Sequence, residues 1–76
     1  MELQAHDHPK GLFDRLVAEG YTGRVIVRLR GDTEVTGTIG PTGNLAVIIK
    51  AISGREFFDA YVPYDAITCV EVKTRS

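Results

Sequence analysis

The sequence predicts a mainly β domain, in which one N-terminal α-helix is followed by five short strands that form a small, strongly bent β-barrel. Three observations support this class. Apolar residues recur with a helical period only between about residues 9 and 19. From residue 24 onward apolar and polar residues alternate, which is typical of strands. Glycines interrupt one alternating run, LRGDTEVTGTIG at residues 29–40, where a barrel strand would have to bend.

The size of the chain favours oligomerisation. A sequence of 76 residues makes one domain, and a core this small gives a thin stability margin. Such domains usually add disulfides, a metal or partner subunits. Cys69 is the only cysteine, and the other candidate zinc ligands are His6 and His8 near the N-terminus. We therefore expect no metal and no cofactor, and partner subunits remain as the route to stability.

The composition excludes several classes of function. The net charge is −1, which argues against a domain-wide electrostatic grip on nucleic acid but leaves room for a local basic patch. No apolar run is long enough to span a bilayer, and no signal-peptide pattern is present. We expect a cytoplasmic protein without membrane contact. Because paired carboxylates, a phosphate-binding glycine loop and a serine nucleophile motif are all missing, we expect no enzymatic activity.

The N-terminal part predicts a tail and a helix. Residues 1–8 have no useful period and are expected to form a flexible tail, which leaves residues 9–76 as the domain. Pro9 suits the first position of a helix, and Gly20 suits the position after its last turn. The apolar stripe of this helix, at about residues 9–19, consists of Leu12, Phe13, Leu16 and Val17.

The first hairpin is predicted from matching apolar faces. This hairpin opens the barrel, which is expected to extend from about residue 24 to about residue 72. With Asp32 at the centre of the turn, Val27 would face Gly37. The same register would set Arg30 opposite Glu34 on the outer face. Gly37 would then provide the bend of the second strand, because a glycine in a strand interior often marks a sharp bend.

The rest of the chain predicts one loop and three strands. The loop is expected at residues 40–44, and the strands are expected at residues 45–52, 55–62 and 66–72. A tight turn at Ser53-Gly54 would set Ile49 opposite Phe58. These three strands are apolar on both faces, so they carry more apolar surface than one small core can bury. Some of that surface is expected to meet another copy of the chain.

The first hairpin contains a motif formed by Leu29, Val35, Gly37 and Ile39. This motif, together with the order of one helix and five strands, resembles the Sm-like family, and the bacterial Hfq branch looks most similar. An apolar third strand that ends in Lys50 continues the match, and VPYDAITCVEV at residues 62–72 is similar to the second Sm motif. The resemblance covers roughly residues 10–72.

This resemblance implies a homo-oligomeric ring. Proteins of the family form rings of roughly five to eight subunits, in which the fourth strand of one subunit pairs with the fifth strand of its neighbour. In this chain, residues 55–62 would pair with residues 66–72 of the next copy. The expected interface residues are Phe57, Asp59, Tyr61, Ile67 and Cys69.

The resemblance also implies binding of single-stranded RNA, in a base pocket built from the loops after strands two and four. Most of the pocket side chains are replaced here, at Gly43, Leu45, Val47, Pro63, Tyr64 and Asp65. The remaining candidates for RNA contact are Asn44 and Tyr64 near the pore, with Arg24 and Arg28 on the outer surface.

Each RNA candidate also has a purely structural interpretation. Tyr64 either stacks a base or covers the end of the barrel or an intersubunit seam. Arg24 and Arg28 either contact phosphates or form a solvated outer face. Two functions therefore stay open. The chain forms an Sm-like ring that binds single-stranded RNA through a non-standard pocket, or the same ring acts as a scaffold or protein-interaction module without RNA binding.

Overall fold

One helix and five antiparallel strands make up the fold of the computed structural model, which describes residues 2–75. The elements are α1 Pro9–Ala18, β1 Arg24–Leu29, β2 Thr33–Thr42, β3 Ala46–Lys50, β4 Ala60–Pro63 and β5 Ile67–Val72. The mainly β class with an N-terminal helix is confirmed. The outer bounds predicted for the tail and the domain, Met1 and Ser76, lie outside the described residues.

The helix begins and ends close to the predicted positions. Pro9 occupies its first turn, and the imidazole of His8 accepts a hydrogen bond from the Lys10 N–H at 3.1 Å. At the other end Gly20 adopts φ +78°, and its N–H donates to the Val17 carbonyl at 3.0 Å. A left-handed glycine that satisfies a terminal carbonyl is a common helix stop. The helix therefore ends at Ala18, one residue before the predicted bound.

The strands form one open sheet in the order β4-β3-β2-β1-β5. The arrangement is consistent with a small barrel-like fold, but the sheet is not closed: within residues 2–75 the outer edges of β4 and β5 pair with no other strand. Closure would need a continuous ladder between these two edge strands. β4 has only four residues and runs into a 3-10 turn, Tyr64–Ala66, before β5 begins on the far side of β1.

The register of the first hairpin differs from the prediction by two residues. Gly37 lies opposite Val25 and not opposite Val27. The turn is centred on Gly31, whose φ is +86°, and not on Asp32. Side chains alternate between the two faces of a strand, so a shift of two residues leaves every side chain on its predicted face. The faces were predicted correctly and the pairing was not.

The second hairpin shows the same kind of shift and a shorter strand. Ile49 lies opposite Ala60 and not opposite Phe58. Ala51 adopts φ +52° directly after β3, which turns the chain out of the ladder. β4 therefore covers only the last part of the predicted strand at residues 55–62. The residues before it form a loop that we call the 51–59 loop.

The second strand is longer than predicted. It runs to Thr42, so the first three residues of the loop expected at residues 40–44 belong to the strand. Its pairing with β3 shifts by one residue between Ile39 and Thr42. Such an extra residue bends a strand and increases its local twist. The shift lets the second half of β2 turn with β3 and β4 away from β1.

The core lies between α1 and one face of the sheet. Its members are Phe13, Leu16, Val25, Val27, Val47, Ile49, Val62 and Tyr64. Gly37 belongs to this packing because a β carbon there would stand 2.7 Å from Cγ2 of Ile49 and in contact with the Lys50 carbonyl oxygen. The close approach of β3 therefore requires glycine at this position.

Among the described residues, no helix is long and apolar enough to cross a membrane.

Candidate functional site

Tyr64 lies inside the protein. Its ring is 4 % exposed and packs against Phe13, with 6.5 Å between the ring centroids. The hydroxyl donates a hydrogen bond to the Gly43 carbonyl at 2.8 Å, and the backbone N–H donates to the Leu45 carbonyl at 3.0 Å. Burial raises the pKa of Tyr64, which keeps this hydroxyl protonated as a donor. The ring has no free face for a base, so this geometry favours the interpretation that Tyr64 covers the end of the sheet.

Arg28 is held between two carboxylates on the outer face. Its Nε lies 2.7 Å from a Glu71 oxygen, and its Nη1 lies 3.1 Å from a Glu34 oxygen. The hydrogen bond to Glu71 is the main cause of the raised pKa of Arg28. Glu34 pairs with Arg28 and not with Arg30, because the hairpin register differs from the predicted one. A phosphate at Arg28 would compete with both carboxylates.

Arg24 points across the sheet toward the 51–59 loop. Its Nη2 donates to the Ala51 carbonyl at 2.6 Å and to the Thr36 carbonyl at 3.4 Å. None of the ion pairs found within residues 2–75 includes Arg24. The hydrogen bonds found for its guanidinium go to backbone carbonyls, so its charge stays able to attract an anion.

Asn44 occupies the exposed loop between β2 and β3. It follows Gly43, the residue that accepts the Tyr64 hydroxyl, so Asn44 and Tyr64 do lie at the same end of the sheet. Arg24 and Arg28 lie on β1 instead. The four residues predicted for RNA contact therefore form no single cluster.

The residues predicted for the subunit interface divide into two groups. Tyr61, Ile67 and Cys69 lie on the two edge strands, where Tyr61 is 67 % exposed. Phe57 and Asp59 lie in the 51–59 loop before β4. The strand prediction placed all five on strands, but the loop separates the two groups.

Beside β5 an open groove of about 180 Å³ separates this edge strand from the start of α1. Its lining combines apolar and polar side chains: Asp7, Pro9, Leu12, Ile67, Thr68, Cys69 and Val70. Asp7 is fixed there by Arg15, whose Nη2 lies 2.6 Å from its carboxylate. We call this feature the β5 groove. It requires α1 to dock beside β5, and the sequence pattern does not reveal that placement.

Hydrogen bonds within the 51–59 loop and to β2 hold its backbone in place. The predicted turn at Ser53-Gly54 is present, and the Ser53 N–H donates to the Thr36 carbonyl of β2 at 2.8 Å. The Phe58 carbonyl accepts from the Ile52 N–H at 3.0 Å. A loop held by such bonds loses little further entropy when it binds a partner.

Two phenylalanines project from this loop. Phe57 is fully exposed and Phe58 is 58 % exposed, although the sequence assigned both to a packed strand. The guanidinium carbon of Arg55 lies 5.5 Å from the centroid of the Phe58 ring. The stretch REFF, with a cation beside two aromatic residues, is the signal that could have identified this surface. Two adjacent exposed aromatic residues make this loop a candidate contact surface.

Residues 2–75 bring no three His, Cys, Asp or Glu side chains together as a ligand set. Comparison with known proteins adds no assignment: no protein-family model, no curated protein and no solved structure matches this chain.

Proposed function

We propose that the protein is the subunit of a homo-oligomeric, Sm-like ring in which β4 of one copy pairs with β5 of the next. The observation that carries this proposal is the open sheet, whose edge strands are β4 and β5. An unpaired edge is a template for pairing with another chain. Because each copy offers two different edges, the contact is head-to-tail and closes into a ring when the rotation allows it.

The character of the edges supports this proposal. Proteins that stay monomeric protect a sheet edge with lysine, proline or a covering loop. β5 has the sequence ITCVEV, which contains no lysine or proline, whereas the β4 edge carries one proline, Pro63. The β5 groove leaves apolar side chains accessible beside it. Leu45 and Tyr61 are likewise exposed next to the β4 edge. A small chain with this much accessible apolar surface gains stability when a second copy covers it.

Native mass spectrometry at micromolar concentration tests the ring. The expected result is one closed stoichiometry for the natural chain. Cys69→Lys places a charge on the β5 edge and should shift the population to monomers, while circular dichroism shows the fold retained. Val17→Lys is the matched control, since Val17 is 52 % exposed on the helix and belongs neither to an edge strand nor to the lining of the β5 groove. A monomeric natural chain, or equal dissociation of the two variants, would contradict edge pairing.

For the activity of the ring we favour a scaffold or protein-interaction module whose pore has no base pocket. The burial of Tyr64 and the two carboxylates on Arg28 support this choice. A second candidate is single-stranded RNA binding at the 51–59 loop. Its support is the exposed pair Phe57 and Phe58 beside Arg55, because base stacking on one aromatic ring contributes about 1–3 kcal/mol.

Titration of labelled oligo-U and oligo-A at two salt concentrations separates the two candidates. If the loop binds RNA, affinity falls steeply as salt rises, and Phe57→Ala weakens binding by about tenfold. Val17→Ala removes an exposed apolar side chain elsewhere and should leave the affinity unchanged. Absence of binding at low salt would leave the scaffold as the function of the ring.

A further inference from the structure

We propose that Tyr61 of one copy inserts its ring into the β5 groove of the next copy, so that helix α1 forms part of the seam. The inference deepens the proposed edge pairing and rests on it. It adds a specific contact between a side chain on one edge and a cavity on the other, and it gives the helix a role in assembly.

The backbone of Tyr61 is directed toward the open edge of β4. In an antiparallel strand the N–H and C=O groups of alternate residues point to opposite neighbours. The Tyr64 N–H donates to the Leu45 carbonyl, and Val62 pairs with Val47 of β3. The alternate residues, Tyr61 and Pro63, therefore direct their backbone groups away from β3. Because proline has no N–H, Tyr61 is the residue of β4 that offers both a donor and an acceptor to a neighbouring strand.

The side chain of Tyr61 is also free. Tyr61 lies opposite Ile48, on the other face of the sheet from Val62 and Ala60, which pair with the buried Val47 and Ile49. Tyr61 as a whole is 67 % exposed. A tyrosine has a large apolar body and a polar tip, so it suits a site that is apolar along its walls and polar at one point.

The β5 groove has these properties. Its volume is about 180 Å³. A cavity of about 150 Å³ accommodates benzene, so a phenol ring fits this space. Pro9, Leu12 and Ile67 supply apolar walls. The Asp7 carboxylate can accept a hydrogen bond from the tyrosine hydroxyl while it keeps its contact with Arg15.

The groove lies on the edge that the proposed pairing would bring to β4. It is lined by four consecutive residues of β5, 67–70, so the backbone of that edge and the groove are covered together. Each chain has one Tyr61 and one β5 groove, which lie on opposite edges of its sheet. Tyr61 therefore cannot reach the β5 groove of its own chain. The proposed occupant of the groove is Tyr61 of a second copy.

A disulfide test uses the natural Cys69, which lines the groove and is the only cysteine in the chain. Mild oxidation of Tyr61→Cys should give covalent multimers on a non-reducing gel, because the two sulfur atoms would come within bonding range. Val17→Cys places an equally accessible cysteine on the helix surface and should give no such ladder. Cross-linking by Val17→Cys to the same extent would mean random collision and would overturn the assignment.

Thiol labelling gives a second readout without a new cysteine. In the assembled natural chain Cys69 should react with a thiol reagent at least tenfold more slowly than in Tyr61→Ala, whereas Tyr61→Phe, which keeps the ring, should stay close to the natural chain. Suppose that native mass spectrometry shows an intact ring and that Cys69 reacts equally fast in the natural chain, Tyr61→Ala and Tyr61→Phe. This result would refute the Tyr61 contact but would not contradict edge pairing. A monomeric natural chain would refute both.

Discussion

At the scale of single residues, glycine has opposite roles at two positions of this chain. Gly37 lies in β2, where a β carbon would collide with Ile49 and with the Lys50 carbonyl. Gly11 lies inside α1, where a β carbon would meet nothing within 4 Å. The first glycine is required by packing. The second one only adds backbone freedom, which weakens a helix.

Alanine substitution at these two glycines should therefore change stability in opposite directions. We expect Gly37→Ala to lower the free energy of unfolding by about 1–3 kcal/mol, because overpacking displaces the β3 backbone. Gly11→Ala should raise it by about 0.5–1 kcal/mol through helix propensity. Chemical denaturation followed by circular dichroism measures both. Unchanged stability in Gly37→Ala would contradict the close approach of β3 and its assigned role.

At the scale of elements, α1 is attached to the sheet by a short polar chain. The Lys10 ammonium contacts Asp14 at 2.6 Å, and the Thr42 hydroxyl of β2 donates to the other oxygen of Asp14 at 2.6 Å. These bonds, the one from Lys10 foremost, hold the pKa of Asp14 below its ordinary value of 3.8. Helix and sheet are thus joined by a carboxylate whose ionised form is favoured by its two partners.

This attachment predicts a pH dependence. A carboxyl whose pKa is lower in the folded state stabilises the fold above its unfolded pKa, and the contribution is lost as pH falls through the folded value. The natural chain should be more stable than Asp14→Asn at pH 7, and the difference should disappear as the pH falls below 3.8, the ordinary value for this group. Asp65→Asn is a suitable control, since none of the ion pairs found in residues 2–75 includes Asp65. A pH-independent difference would contradict the role of the Asp14 charge.

The strands show what alternation in a sequence can and cannot predict. Alternating apolar residues identified the inward face of β1, where Val25 and Val27 are buried. They did not identify the partner of Gly37, because a shift of two residues preserves both faces and only the turn decides between registers. The loop residue Ala51 was missed for a related reason. Its left-handed conformation is supported by hydrogen bonds from Arg24 and to Asp59, which are distant in sequence.

The candidate site was less predictable than the fold. The resemblance placed Tyr64 at a pore, but its burial depends on how α1 docks over the end of the sheet. Phe57 was expected to be packed, because it alternates with Asp59 and Tyr61 as in a strand. It is exposed instead, because the chain turns away from β3 at Ala51, before Phe57 is reached. Single-residue patterns carry no information on where separate elements meet, so the burial of Tyr64 and the exposure of Phe57 could not be predicted from them.

At the scale of the whole molecule, the open sheet determines how the chain obtains stability. The core is small and the edges of β4 and β5 are unpaired within residues 2–75. If assembly stabilises the fold, the melting temperature must depend on protein concentration by mass action. We expect it to rise for the natural chain between about 1 and 100 μM, and to stay constant for Cys69→Lys. A melting temperature independent of concentration in the natural chain would argue against assembly as a source of stability.

The hydrogen bond from the Tyr64 hydroxyl to the Gly43 carbonyl has a consequence for geometry at long range. It fastens the loop after β2 to the turn after β4. The angle between the two borders of the sheet is thereby a property of one folded chain, present before any neighbour arrives. If copies pair through these two edge strands, that angle determines how many subunits close the ring. In the proposed ring, loss of this hydrogen bond should alter the number of subunits, whereas a change on an edge strand should alter how firmly the subunits hold together.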